Sequence, residues 1–452
     1  MKDQTAGNAR FSYSLDQLKA MSDEVLRLAK SSGATSAEAE VSLGVGQNVS
    51  VRMGETETIE YNRDKGMSVT VYFGQQKGHA STSDLSPQAL SDTVAAACNI
   101  ARYTAQDEFC GLADPALLAR EIPDLDLHHP WPLSVDEAIA IALECEQAAR
   151  DADTRIVNSE GASVSTYEGL FSYANSNGFN AGYPSSRHGI SCSVIAEEGE
   201  SMQRDYWYTS ARSASELDSA RSVGMRAGER TARRLGSRKI KTAQVPVLFE
   251  APLASGLISH LVSAISGGSL YRKSSFLLDS LGKQVMSDII NIEELPHIKR
   301  GLASSPFDNE GVATKPRMLV KNGVLQGYML GSYSARKLGM ISTGNAGGNH
   351  NLIIQHGDLD FQGLLNAMGT GLLVTELLGH GLNMVTGDYS RGAAGFWVEN
   401  GVIAYPVEEI TIAGNLGDML KQIVAVGSDV LTQGSKQTGS ILIERMTVAS
   451  GE

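Results

Sequence analysis

Apolar positions along the chain change spacing several times, and each change predicts an element. Leu18, Met21, Val25 and Leu28 recur at three and four residues, one stripe of a helix. Ser14 and Gln17 precede it as a capping box, and Gly33 stands where a C-cap belongs. Ala37, Ala39, Val41 and Leu43 then alternate with polar residues. So do Val49, Val51 and Met53, and later Met67, Val69, Val71 and Phe73. Period two, punctuated by Gly46, Gly54 and Gly66, predicts an antiparallel meander. Ser86-Pro87 opens a second helix, whose buried face is Leu90, Val94, Ala97 and Ala101.

Residues 104–133 hold Pro115, Pro123, Pro130 and Pro132 with little periodicity and read as a connection. Ser134 and Glu137 cap a helix running to about Asp151. Strands follow, with turns at Asn177-Gly178 and Glu198-Gly199, then a charged helix from about Ala214 to Leu235. The stretch Gly236 to Gln244 is the best linker. Beyond it the chain is rich in glycine and strand signals, with hairpin turns at Asn322-Gly323 and Asn400-Gly401. Short helices are expected near Ala254–Ala264, Tyr333–Leu338 and Phe361–Met368. The order predicts an α+β fold. An N-terminal antiparallel sheet with helices comprises two subdomains, residues 12–125 and 126–236. A β-rich domain with short helices covers residues 244–450.

The length of 452 residues fits two or three domains, and 42% hydrophobic content supplies real cores. A net charge of −13 argues against a nucleic-acid-binding surface, which needs a basic excess. No apolar run is long enough to span a membrane, and Met1 to Phe11 is too polar for a signal peptide. A cytoplasmic protein is expected. Cys98, Cys110, Cys145 and Cys192 are scattered, without metal or redox spacing, and read as small buried hydrophobes.

Candidate chemistry is sparse. Glu376 and His380, in Thr375-Glu-Leu-Leu-Gly-His380-Gly, would share a face on a helix and could address one metal. Only one histidine is present, however, and the surrounding glycines indicate strand and loop, so a hydrogen-bonded polar pair is the commoner explanation. His260 sits in an otherwise small, apolar helix, where a lone histidine is more often a core or cleft residue than a ligand. His128 and His129 lie in the proline-rich connection and are expected to face solvent. His350 and His356 fall in a predicted loop, residues 344–357, with no carboxylate or cysteine at ligand spacing. Ser266-Gly267-Gly268-Ser269 suits a helix C-terminus better than a phosphate loop. Tyr271-Arg272-Lys273 could bind a carboxylate or a peptide terminus, although a solvated surface is commoner. Trp207, flanked by Tyr206 and Tyr208, predicts a strand with one buried and one exposed face. No nucleophile elbow or P-loop occurs.

Five stretches carry a resemblance. They are Ala80-Ser-Thr-Ser-Asp-Leu-Ser-Pro87, Ser269-Leu-Tyr-Arg-Lys-Ser-Ser-Phe-Leu-Leu-Asp-Ser-Leu-Gly282 and Gly301-Leu-Ala-Ser-Ser-Pro-Phe-Asp-Asn-Glu-Gly311. The others are Thr386-Gly-Asp-Tyr-Ser-Arg-Gly-Ala-Ala-Gly-Phe-Trp-Val-Glu-Asn-Gly401 and Glu408-Glu-Ile-Thr-Ile-Ala-Gly-Asn-Leu416. Over nearly its whole length the chain resembles the TldD/PmbA family, on the PmbA (TldE) branch, whose older description is a proposed modulator of DNA gyrase. The resemblance implies a heterodimeric cytoplasmic metallopeptidase that takes unfolded or small peptides into an enclosed cavity. It also implies links to peptide antibiotic maturation and antitoxin degradation. In such a pair the TldD partner holds zinc on a helix with H-E-x-x-x-H and a later cysteine, the glutamate acting as base.

Carried onto this chain, the three motif positions fall on Ser259, His260 and Ala264, and the cysteine position near Thr438. All are replaced. The resemblance therefore implies no catalytic residue, metal or cofactor in this chain, with zinc expected in the TldD-like partner. Low-priority cleft candidates are His260, Arg272, Glu376 and His380. Expected partners are the catalytic subunit and peptide substrates, or a second copy when isolated, without nucleic acid or membrane. Two rival readings remain: a regulatory binding protein acting on gyrase, and a self-sufficient hydrolase built around His260, Glu376 or His380.

Overall fold

The structure, a computed structural model, describes residues 10–450; the polar start of the chain at residues 1–9 lies outside the described residues. The first helix, α1 (Leu15–Ser31), has the Ser14–Gln17 capping box in both directions. After it, β1 (Ser36–Arg52), β2 (Glu55–Phe73) and β3 (Gln76–Thr82) form the meander, and α2 (Pro87–Tyr103) is capped by Ser86. Met53 and Gly54, at φ 52° and 82°, make the β1–β2 turn. Gly46 and Gly66 do not interrupt anything. They pair with Asn62 and Ser42 inside two uninterrupted strands. A Cβ on Gly46 would lie 3.1 Å from the Thr166 carbonyl, so this glycine serves a close backbone approach inside the sheet.

The connection through residues 104–133 has one short turn of 3₁₀ helix, and α3 (Val135–Asp151) follows, capped by Ser134 and Glu137. Three long strands come next, β4 (Ile156–Asn175), β5 (Phe179–Glu198) and β6 (Ser201–Ala211), then α4 (Ala220–Ala232). The expected helix from Ala214 begins later. Ser213 caps a separate 3₁₀ turn, and Ser219 is the true N-cap of α4. Strand β1 pairs with β4 over fourteen registered positions, Glu38↔Asn175 to Val51↔Ala162. All six strands therefore make one sheet, in the order β3-β2-β1-β4-β5-β6. The four helices pack on one face of it, over two apolar clusters. Part of the opposite face is covered by the second half of the chain, where Phe171, Tyr173 and Phe179 meet Phe307 and Val312.

The second half begins with β7 (Ala243–Phe249), α5 (Ala251–Ala264) and α6 (Gly267–Tyr271). Three small strands follow, β8 (Ile292–Glu294), β9 (Arg317–Lys321) and β10 (Val324–Leu325), with α7 (Ser332–Lys337), β11 (Leu352–Ile354) and α8 (Phe361–Met368). The closing elements are β12 (Gly371–Leu378), β13 (Asp388–Glu399), β14 (Val402–Asn415), α9 (Leu416–Lys421), β15 (Ile423–Val426), β16 (Lys436–Gln437) and β17 (Ile441–Ser450). Strands β14-β13-β12-β7-β17-β15 form a sheet that also pairs β14 with β17, which closes it on itself and covers the β14 edge. Its interior and α5 share the largest apolar core of the chain. Two further expectations change here. Ser266 does not simply end a helix; it caps α6, so the glycines after it open a short helix. The predicted loop 344–357 contains β11, which pairs with β8 and β16.

Candidate functional site

Helix α5 is the element on which the site is built. Its first N–H, on Ala251, is held by the Ser440 hydroxyl at 2.9 Å, which fixes the helix to the strand end that follows Thr438. Leu257, Ile258, Leu261 and Ala264 turn into the core, and Ser255, Ser259 and His260 stay half-buried. The Ser259 hydroxyl donates back to the Ser255 carbonyl at 2.9 Å. His260 presents its ring to Tyr389, edge on, at 6.1 Å. Burial, and then the cation of Arg391, hold its imidazole below the usual histidine range. Ala264 is fully buried and its carbonyl accepts from Ser275. Thr438 is buried too, with its hydroxyl donating to the Gly439 carbonyl at 2.9 Å.

These four residues do not fit zinc. Ala264 has no donor atom, and the hydroxyls of Ser259 and Thr438 are neutral and engaged with backbone carbonyls. Only His260 carries a ligand of the right kind. Among the described residues no three His, Cys, Asp or Glu side chains are grouped so as to hold a metal ion.

Beside α5 lie two small cavities. One, of about 190 Å³, is bounded by Ser255 and Ser259 on the helix and by Gln433 to Lys436 across from it. Burial pushes the Lys436 ammonium below its ordinary pKa. The other, of about 170 Å³, is bounded by β6, α4, the start of α5 and β12. The two share Tyr208, Pro252 and Gln433. Between β6 and α5 the charges are dense and paired. Arg230 donates to both Glu250 oxygens at 2.9 Å, and Arg234 binds Glu376. Strand β6 ends its sheet, and side chains bond to its backbone: Arg234 donates to the Arg204 carbonyl and Gln433 to the Tyr208 carbonyl.

The remaining candidates are dispersed. Glu376 lies on β12, so it shares no helix face with His380, which is exposed in the following loop; its partner is Arg234. Arg272 is exposed and stacks over Tyr271 at 5.2 Å. Trp207 is 4% exposed beneath Arg226, while Tyr206 and Tyr208 face outward, as their alternation predicts. One histidine expectation is corrected. His128 is half-buried and bonds the buried carboxylate of Glu168 at 3.0 Å, which also holds Arg10; a carboxylate taken out of water draws in every available donor. His350 does have a carboxylate partner, Glu294 at 3.0 Å, but it lies far away in sequence. Spacing also missed Asp205, Arg230 and Thr375. The one signal for them was the run of arginines Arg226, Arg230, Arg233 and Arg234 at helical spacing opposite an aromatic strand. A larger cavity of about 540 Å³ lies away from α5, between Glu38 and Tyr72 of the first sheet and Glu310 and Tyr333 of the second half.

Comparison with known proteins finds relatives over most of the chain. Models of the three PmbA/TldA metallopeptidase domains match residues 37–101, 128–235 and 242–450. A protein of Escherichia coli O157:H7 named Metalloprotease PmbA is 54% identical over 91% of this chain and 92% of its own length. A crystal structure from Bacteroides thetaiotaomicron, described as a proposed modulator of DNA gyrase, superposes with a TM-score of 0.92 at 29% identity, covering 96% of this chain and 99% of that one. TldE from Thermococcus kodakarensis shares the fold, with a TM-score of 0.84 at 20% identity over 95% of this chain and 100% of its own. The chain belongs to the PmbA/TldD family of metallopeptidases.

Proposed function

We propose that this chain is the TldE-type subunit of a heterodimeric TldD/TldE metallopeptidase, and that it lacks the metal and helps to form the peptide-binding cavity. The observation that carries this reading is the chemistry at the four motif positions. Ser259, Ala264 and Thr438 offer no zinc ligand, and on the family resemblance His260 stands where the catalytic partner carries its general base. The cleft beside α5, with its edge strand and arginine-rich wall, supports a peptide-binding role. The substrates on this reading are unfolded or small peptides, including precursors of peptide antibiotics and labile antitoxins. The zinc would reside in the TldD-type partner.

The test is to purify the chain alone and together with its TldD-type partner, then measure metal content and peptide cleavage for each. The mixture should cleave and the chain alone should not. Stoichiometric zinc in the isolated chain, with chelator-sensitive turnover, would sink the proposal. A regulatory role on DNA gyrase is the second reading, favoured by the description of the Bacteroides relative. Recovery of gyrase and no TldD-type chain in a pull-down would favour it.

A further inference from the structure

We propose that the cavity between Ser259 and Lys436 is a carboxylate subsite that holds the C-terminal end of a peptide lying along the cleft. This rests on the peptide-binding role above and adds which end of the peptide the chain grips.

The cavity, of about 190 Å³, is bounded by Ser255 and Ser259 of α5 on one side and by Gln433 to Lys436 on the other. Among the described residues that line it, Lys436 is the one charged side chain. The segment that carries it is anchored. Strand β16 pairs with β11 at Leu352↔Lys436, and the Leu352 N–H donates to the Ser435 carbonyl at 2.7 Å. The ammonium is half-buried, so a guest can still reach it. Its hydrogen bond among the described residues is a long one, 3.5 Å to the Ser435 hydroxyl. Burial lowers its pKa, and no neighbouring carboxylate raises it. The arginines of the adjoining cavity differ, since Arg230 pairs with Glu250 and Arg234 with Glu376. A cation drawn out of water without a counter-charge is costly, and a bound anion offsets that cost.

The two walls offer different bonds, and the difference orients the guest. The Lys436 ammonium has three N–H donors, and the Ser435 hydroxyl that accepts from it keeps its own hydrogen. This wall donates. Ser255 and Ser259 give their hydrogens to the carbonyls of Pro252 and Ser255, at 3.0 and 2.9 Å, so their oxygens can only accept. A C-terminal residue carries a carboxylate and an amide N–H on one Cα, and so can meet the donating and the accepting wall together. An Asp or Glu side chain supplies the carboxylate alone. A phosphate would set nearly two negative charges against one cation. An amidated end would leave the ammonium uncompensated. The volume is below the range of roughly 300–1,000 Å³ typical of whole small-molecule ligands, and suits one terminal residue. Tyr208, Pro252 and Gln433 also bound the adjoining cavity, so the rest of the peptide can continue into it.

The experiment uses three acetylated alanine pentapeptides: one ending in a free carboxylate, one amidated, and one amidated with Glu at the centre. Each is titrated calorimetrically into the full chain, alone and mixed with a TldD-type partner held inactive by chelator. The free-acid peptide should bind about tenfold more tightly than the amide. Lys436→Met should erase that difference, and Lys436→Arg should keep part of it. A thermal midpoint no lower than that of the parent establishes that each variant folds. Equal binding of acid and amide by the parent, a comparison that needs no variant, overturns the subsite and leaves the peptide-binding reading standing. A preference that survives Lys436→Met does the same. A central-Glu peptide that binds as tightly as the free acid overturns the assignment to the chain end. No binding of any peptide, with or without the partner, overturns both.

Discussion

Glu294 illustrates how one residue can hold a region of this protein together. Its carboxylate is 1% exposed and accepts from Arg317 at 2.7 Å, Asn345 at 2.8 Å, and the backbone and ring of His350 at 2.9 and 3.0 Å. Burial alone would push the carboxyl up, but His350 and Arg317 together outweigh it and hold it down at about 2. The folded pKa is thus below the ordinary 4.5, so the stabilisation is fully present above that pH and is lost as the pH falls towards 2. It amounts to about 3 kcal/mol at neutral pH. Glu294→Gln should cost about that much and flatten the acid limb of the stability curve, read from urea unfolding at pH 7 and pH 3. Ala264 makes a second residue-scale point. It is 0% exposed, so Ala264→His should destabilise by about 1–3 kcal/mol through overpacking. Thermal unfolding would show it, and a variant as stable as the parent would mean that the helix face is looser than its packing suggests.

At the scale of elements, two contacts matter most to the cleft. Helices α3 and α4 touch through Gly224, where a Cβ would come within 2.0 Å of the Cys145 carbonyl. That atom is backbone and cannot step aside. Gly224→Ala should therefore force the helices apart and cost about 1–3 kcal/mol, with a lower denaturation midpoint. The other contact joins α4 to the start of α5. Arg230 and Glu250 are nearly buried, and Arg230 also faces Asp205. Removing one member leaves the other only its longer contact, Arg230 to Asp205 or Glu250 to Arg233, so Glu250→Ala should cost about 3 kcal/mol, the lower end for a broken buried pair. Replacing both by apolar residues of like size should cost less than either single change. A double-mutant cycle measures this, and simple additivity would show that the pair is not coupled.

The whole molecule combines a helix-backed sheet with a sheet closed on itself, and the cleft lies where β6 of the first meets α5 and β12 of the second. Neither half alone completes that wall. Because the motif positions supply no ligand set, a chelator should leave the unfolding midpoint of this chain unchanged, within about 1 °C of the untreated sample, an order of shift small beside that of a lost structural metal. A marked fall in the midpoint on adding EDTA would mean that a metal holds the chain together.

Much of this was already written along the chain. The α1 stripe with Ser14 and Gln17, the Ser86-Pro87 start, and the Asn-Gly turns at 177, 322 and 400 act locally, and local capping and turn geometry survive any tertiary context. The family resemblance was legible too, in its long motif stretches. What sequence could not decide is what long-range pairing decides. Gly46 reads as a stop but lies within a strand, because the backbone carbonyl of Thr166 passes close by. His128 and His350 read as loop histidines but are held by Glu168 and Glu294, carboxylates brought in from other strands. Thr375 looks like any strand residue but sits at a one-residue bulge of the β12–β13 pairing, and only the register between paired strands can place a bulge there.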